Sequence, residues 1–579
     1  MYFKRDRFSG IAPGVAPRLL ADQFGQTAQN IDFESGRLAP TTANSSSVQT
    51  LQNGGRRSIF YYRSTNWLEW TADGVKAVPG PIPNDTNERL YFTGDSYPKM
   101  GTVSSMVAGS SGYPSVAYRL GIPAASAAPT IAKSGSASAE ETPEDRVYVY
   151  TFVSVYGEEG PPSPASGVLQ VTSTETVTVT MPSSELPGSS SYTSSGDFAM
   201  GSGALKRIYR SNTGSSFTDF QFVAEVAISA TSYADNIATT SLGEVLPSGT
   251  WIGPPDDNSS LYPDGQMQGL CSVGNGVFAG FSGKRFCLSE PYLPHAWPIG
   301  YRITLEEDIK AIAATGNGVV ALTEGTPYFI TGTDPSAMTP IQVDIAQACV
   351  NTRSVVDMGG FVLYAAPDGL VAVTNTNGQV VTKGLISAKQ WNADFYPTII
   401  RAFRHEDTYV AFYNNGGTLG GWVYDPRAEE AALSTLSVSA EVRGGYMDPK
   451  DGELYLIEAS TVKKYRGGTA SNTLKWKSKK FVTPNPVSMS WVSVHASSYP
   501  VGVKVWADGT LIADYTLSYS SNVYTQSTST PSGISNGSLR EPIMRLPSAL
   551  ALEWEVEVSG AVSINEVCLA QSMDEIRGL

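Results

Sequence analysis

Glu306-Glu307-Asp308 is the densest set of side chains in this chain that could do chemistry. Two carboxylates facing one cleft about 5 to 10 Å apart would hydrolyse a glycosidic bond, one as acid and the other as nucleophile or base. Neighbours on one loop do not take up that geometry, so the run reads as a solvated turn. The Ser-x-Asp-x-Gly-x-x-Trp boxes of a sialidase-type site do not occur. His295, His405 and His495 stand far apart. A Ser-His-Asp triad needs a nucleophile on a strained turn beside a His and an acid, and no Gly-x-Ser-x-Gly elbow is expected here. His295, between Pro294 and Ala296-Trp297, reads as the packing of a loop.

Metal and cofactor chemistry fare no better. Asp256-Asp257-Asn258 and Asp448-Pro449-Lys450-Asp451-Gly452 are acid-rich, but a calcium loop places oxygen ligands at alternate positions with a late bidentate Glu, and neither string does so. Asp-x-x-Asp-Gly is an ordinary turn. Neither a P-loop nor a His-x-x-x-His pattern is present. Cys271, Cys287, Cys349 and Cys568 form no Cys-x-x-Cys pair and read as buried small hydrophobes. Cys271 and Cys287 bracket one hairpin and could bond across it, although a protein assembled inside a cell keeps such thiols reduced. The sequence therefore predicts no catalytic, cofactor or metal residues and no enzyme.

The elements that hold these residues carry more information. Glycine-marked hairpins between alternating apolar runs recur at Gly276-Val277-Phe278-Ala279-Gly280-Phe281, Gly318-Val319-Val320-Ala321-Leu322-Thr323, Gly360-Phe361-Val362-Leu363-Tyr364-Ala365, Thr408-Tyr409-Val410-Ala411-Phe412-Tyr413 and Gly452-Glu453-Leu454-Tyr455-Leu456-Ile457. Their starts are roughly 42 to 48 residues apart, the period of a four-stranded propeller blade. Ser58 to Tyr62 and Trp67 to Trp70 form a hairpin of the same type, so the blades begin before residue 60. The clusters Phe60-Tyr61-Tyr62 and Trp67 to Trp70 would suit either sugar stacking or contacts between blades.

Around this series the composition changes three times. Residues 1–45 are rich in Gly and Pro and read as an extended arm, unable to bury a core alone and ordered by lying on a neighbour or on another protein of the same assembly. Residues 46–123 open the propeller. Residues 124–248 lose the blade period and hold strands at Arg146–Tyr156, Thr176–Thr180, Lys206–Arg210, Gln221–Val226 and Thr231–Asp235, an inserted sandwich. Its strand count and its Tyr156-Gly157-Glu158-Glu159-Gly160-Pro161-Pro162-Ser163-Pro164 turn resemble a fibronectin type III or Ig-like module, which implies a seven-stranded sandwich. Residues 249–470 resume the propeller, and 471–579 read as a C-terminal β-sandwich around an Asp508-Gly509 hairpin. The expected fold class is all-β.

A net charge of −14 argues against a protein that grips nucleic acid, which needs clustered Lys and Arg. Such a surface suits a channel wall past which DNA slides, or serves solubility alone. The opening Met1-Tyr2-Phe3-Lys4-Arg5-Asp6-Arg7 leads into Gly and Pro, so no secretory signal is read and folding in a cytoplasm is expected. No window approaches the roughly 20 apolar residues that span a bilayer.

Four segments together carry a further resemblance: the arm from Gly10 to Pro40, Pro291-Tyr292-Leu293-Pro294-His295-Ala296-Trp297-Pro298, the run Thr323 to Gly332, and Cys349-Val350-Asn351-Thr352-Arg353-Ser354-Val355-Val356-Asp357. They resemble the tail nozzle or tail tubular proteins of short-tailed bacteriophages. The resemblance implies a virion protein assembled in the bacterial host cytoplasm, in a homo-oligomeric ring expected to be hexameric. The ring would sit below the portal and the head-to-tail adaptor, in contact with tail fibre or needle proteins, and DNA would pass through it without specific binding. The simple, short loops depart from the family's pattern, so no channel-gate residues are carried over to this sequence. A receptor- or carbohydrate-binding propeller of the tail tip is the alternative, and a glycan hydrolase a third reading.

Overall fold

The computed structural model describes residues 1–52, 54–109, 112–182, 198–213, 218–316, 318–427, 432–528, 537–539 and 541–578. About 47% of the chain is strand and 6% helix, so the fold is all-β, of propeller type, with an inserted and a C-terminal sandwich. Packing divides it into two compact units, Tyr62–Gln342 and the pair Met1–Tyr61 with Val343–Leu579.

In the Tyr62–Gln342 unit, three four-stranded antiparallel sheets run in simple chain order. They are Lys76–Pro79, Leu90–Thr93, Lys99–Gly101 and Tyr118–Arg119; then Gln268–Gly274, Val277–Ser282, Arg285–Leu288 and Ile303–Thr304; then Ile309–Thr315, Gly318–Thr323, Tyr328–Thr331 and Thr339–Gln342. First strands lie together, Gln268–Gly274 touching both Lys76–Pro79 and Ile309–Thr315, as in neighbouring blades. Second strands are covered on both faces, which is why Val277–Ser282 and Gly318–Thr323 read as unbroken apolar runs and are buried throughout. The Asn275-Gly276 turn has φ of 49° and 74°, the left-handed pair that a tight hairpin requires. A Cβ on Gly276 would lie 2.6 Å from the Tyr292 ring, so the position also needs the missing side chain.

Within the same unit the insert forms sheets of its own, at Thr130–Ser134, Thr176–Thr180 and Ser232–Asp235, and at Tyr148–Val153, Leu205–Thr213 and Thr218–Ala227. Alternate residues Val177 and Val179 meet Tyr148, Tyr150, Phe152 and Ile208 in one core. Residues 183–197 and 214–217 of the insert lie outside the described residues.

The other unit holds two more four-stranded blades, Val356–Asp357 to Asn377–Val380 and Arg401–His405 to Ala432–Leu436. A third, Val442–Met447, Leu454–Glu458 and Thr461–Lys464, is completed by Ser47–Thr50 from the start of the chain. The C-terminal sandwich follows, with Trp491–Ala496 and Ile564–Ala570 in one sheet and Val501–Ala507, Thr510–Ser520 and Ala551–Gly560 in the other.

Here the expectation for the N-terminal arm is corrected. The arm lies on its own chain. Tyr2–Arg5 adds an edge strand to Ile564–Ala570. Thr27–Gln29 sits between Ala432–Leu436, which it meets in parallel, and Leu474–Lys477, which it meets antiparallel, so one sheet runs from blade to sandwich. Phe8 stands edge-on to Trp476 at 5.0 Å and Phe3 stacks on Phe481 at 4.5 Å. Strands this short form only by pairing with existing edges, and those edges belong to segments more than 400 residues downstream. All four cysteines are free thiols, and burial pushes Cys287 up to about 11.

Candidate functional site

The acids singled out by the sequence sit on loops and turns. Glu306, Glu307 and Asp308 are exposed on the loop before Ile309–Thr315. There the Lys284 ammonium donates to the Glu306 carbonyl at 2.7 Å, and the Glu324 amide to that of Asp308 at 2.9 Å. Asp256 and Asp257 clamp the Arg119 guanidinium at 3.3 and 2.6 Å, and the bond from Arg119 holds Asp257 below the usual carboxylate range. Asp448 and Asp451 accept the backbone N–H groups of Lys450 and Glu453, as turn-forming aspartates do. Among the described residues no group of three His, Cys, Asp or Glu could hold a metal ion. No helix among them is long and apolar enough to cross a membrane.

One Gly-x-Ser-x-Gly string does occur, Gly533-Ile534-Ser535-Asn536-Gly537, against the expectation of none; Gly533 to Asn536 lie outside the described residues. His495 is exposed opposite Glu566. His405 is buried edge-on to Tyr465 at 4.9 Å. The aromatic clusters face protein: Phe60 packs on Tyr446 at 5.1 Å, Trp70 on Phe92 at 5.3 Å, and the Tyr62 hydroxyl donates to the Glu88 carbonyl.

A cluster of buried charge lies where the insert meets the blades, at the Gly157-Glu158-Glu159-Gly160 turn. The preceding strand Tyr148–Val153 is buried throughout, and the chain reverses through Gly157, φ 76°, with its amide on the Ser154 carbonyl. Gly160 lets the turn approach Ile122, since a Cβ there would be 2.6 Å from that side chain. Both carboxylates thus point inward.

Glu159 belongs to the insert side. It accepts from Thr151 and Tyr209 hydroxyls at 2.7 Å and pairs with Arg207 at 2.9 Å. Glu158 crosses to the blade side and meets Arg89 at 2.6 Å; Arg89 also pairs with Asp85 at 2.6 Å and lies 5.3 Å over the Tyr156 ring. Burial raises the Asp85 carboxyl, but bonds from Arg89 and from the Asn87 amide more than offset that and leave it below the ordinary range. Nδ1 of His295 is 3.9 Å from Glu158, and neither ring nitrogen has a hydrogen-bond partner. The ring is 2% exposed and edge-on to Trp251 at 6.0 Å. Burial pushes its pKa down, against the pull of Glu158.

The loop carrying His295 is itself locked. Trp297, fully buried, donates from Nε1 to the Pro294 carbonyl at 2.8 Å and from its amide to Ile252 at 2.7 Å. A second strut joins insert and blade where Arg119 and Phe198 form a parallel bridge. This constellation neutralises charge and fixes one module on another. Sequence reasoning passed over Arg89 and met Glu158 and Glu159 only as part of a turn, with nothing in the local pattern to show that they face inward.

No family model matches the chain, and no curated protein matches it in sequence. Among solved structures it is similar to the β-propeller domain of Cps50 (Swd1) from Myceliophteria thermophila, at 10% identity over 47% of this chain and 88% of that one, with a TM-score of 0.24. YCF48 bound to D1 peptide shares 10% identity over 56% of this chain and 97% of its own, TM-score 0.25. PorZ, a surface component of the type-IX secretion system of Porphyromonas gingivalis, shares 10% over 57% and 49%, TM-score 0.25. The propeller-type assignment stands on the sheets themselves.

Proposed function

We propose that this chain is a structural, non-enzymatic component of a bacteriophage tail: one subunit of a nozzle or tube ring, expected to be hexameric, below portal and adaptor, through which the genome is ejected. The observation that carries the reading is the use made of the four segments that resemble the nozzle family. The first, second and fourth join modules or pin sheets, and the third closes a turn of its own. The arm splices a blade to the C-terminal sandwich. Pro291–Pro298 supplies the seat for the insert turn. Asn351, in the fourth segment, donates to the carbonyls of Pro397 at 3.2 Å and Ile400 at 2.7 Å, and Tyr409 donates to Ser354 at 2.8 Å. In the third, the Thr323 hydroxyl ties to the Thr326 carbonyl at 2.7 Å.

Rigid modules clamped in this way suit a subunit that must hold its shape in a closed ring built from heterologous contacts. Charge adds support. Residues 124–248 hold five Lys and Arg against thirteen Asp and Glu, so most of the net −14 sits on the insert. An acidic module of this kind repels DNA within about a Debye length, roughly 8 to 10 Å, and favours passage over binding. The adaptor above and the fibre or needle proteins below would be its partners, in the virion.

Native mass spectrometry of the purified protein and of disassembled tails, with negative-stain imaging, tests the proposal. A six-fold ring with a central hole is the expected result. A protein that stays monomeric with its adaptor present, or forms a compact trimer, overturns it and directs attention to glycan binding.

A further inference from the structure

We propose that His295 is a proton-operated latch, and that acid opens the joint it forms with the insert turn Gly157–Gly160. The geometry is that of a wedge. The imidazole is shut in between the turn of the insert, the rest of its own loop Pro291–Pro298 and Trp251; neither nitrogen makes a hydrogen bond of good geometry, and the Glu159 backbone is the one group that favours the protonated ring by bonding.

The charged groups that face it come from two sides. From the insert turn come Glu158 and Glu159. From the blade side comes Arg89, with Asp85 bound behind it. Its own loop adds the apolar Trp297. Arg89 already pairs with Glu158 at 2.6 Å, whereas the imidazole stands off at 3.9 Å, so a proton arriving on the ring meets a carboxylate whose charge is already countered. A buried imidazolium with no free carboxylate bonded to it is costly even beside the Glu159 backbone, and water is its better environment.

The sign follows. Above about pH 6.5 the ring is neutral whether the joint is open or closed, and acidity has no leverage. Below that, the open state takes up a proton that the closed state resists, and the population shifts toward open by at most about tenfold per pH unit. Asp85, held below its ordinary range, keeps the Arg89 pair charged through this window. Opening separates Glu158 from Arg89 and Tyr156 from the same guanidinium, while the insert keeps its own core. The latch is independent of the nozzle reading.

The test is hydrogen–deuterium exchange on the full-length protein between about pH 7.5 and pH 5, corrected for the intrinsic pH dependence of exchange, following peptides that cover residues 154–163. Wild type is expected to show amide opening in this turn that grows several-fold per pH unit below about 6.5. His295→Phe, which keeps a buried ring and cannot take a proton, is expected to be flat. Equal pH dependence in both proteins, or none in wild type, overturns the proposal. Should the Phe variant fail to fold, exchange at the C2–H of His295 in wild type reads its titration directly, and a midpoint at or above the ordinary 6.5 overturns the latch.

Discussion

Asp235→Asn is the sharpest single test of how the insert is held together. In the insert core Asp235 accepts from Arg210 at 2.7 Å and from the Tyr148 hydroxyl at 2.7 Å, and both members of the ion pair are 0% exposed. Arg210 donates further to the Ile237 carbonyl at 3.0 Å and to Thr239 at 3.2 Å. The amide keeps the shape of the carboxylate and removes its charge, so the buried guanidinium keeps only neutral hydrogen-bond partners, with Glu144 beyond Thr239 as a remaining acidic neighbour. Breaking one partner of such a pair destabilises by about 3 to 5 kcal/mol, whereas replacing both by apolar groups of similar volume is close to neutral. At about 1.36 kcal/mol per tenfold, Asp235→Asn should speed exchange of the slowest amides in Tyr148–Val153 and Leu205–Thr213 by roughly two to four powers of ten. The double variant Arg210→Met with Asp235→Leu should recover most of that loss. Hydrogen exchange by mass spectrometry at neutral pH is the assay, because the insert contains no tryptophan to report its unfolding. A change under about tenfold for Asp235→Asn, or a double variant as damaged as the single one, would refute the reasoning that an unpartnered buried charge governs this core.

The arm and the second buried histidine give two further tests. Gly10→Ala places a methyl 2.2 Å from the Leu433 carbonyl oxygen, a backbone atom that cannot swing aside, so the variant should lose about 1 to 3 kcal/mol and be cut earlier by protease within residues 1–30. An arm cleaved at the wild-type rate would speak against the clash. His405 is held at about 4, mainly by burial and also by Arg466. It is neutral in both states above pH 6.5; below that the unfolded chain gains a proton first, so stability falls between about pH 6.5 and 4, by up to about 3 kcal/mol. His405→Gln should flatten that part of the pH–stability curve of its unit, as read by chemical denaturation.

What the sequence made legible was the part of the fold set by local pattern. Val362–Ala366 and Gly318–Thr323 announce themselves because a strand buried on both faces needs an unbroken apolar run, and Asn275-Gly276 because its turn needs positive φ. The arm was not legible in the same way. Phe8, Ile11, Ala28 and Ile31 follow neither a period of two nor of 3.6, since they enter one core from an irregular arm and not from a single helix or strand. The buried joint escaped for a related reason: Glu158 and Arg89 are 69 residues apart, and a glutamate in a glycine-framed turn looks the same whether it faces water or a guanidinium. Acids that did stand out, Asp256-Asp257 and Asp448 to Asp451, proved to be serving Arg119 and their own turn.

Completion of a blade by Ser47–Thr50 has a consequence for synthesis on the ribosome. The Lys464 amide that closes on Ser45 lies 419 residues further along the chain. At about 5 to 20 residues per second, the early strand waits roughly 20 to 80 s for its partner to emerge. During that interval its backbone N–H and C=O groups are open to other nascent chains, as is the edge of Thr27–Gln29. All four residues of Ser47–Thr50 are exposed, and with Ser47, Gln49 and Thr50 polar, Val48 is the one apolar side chain in this strand that a stray strand could hold during the wait.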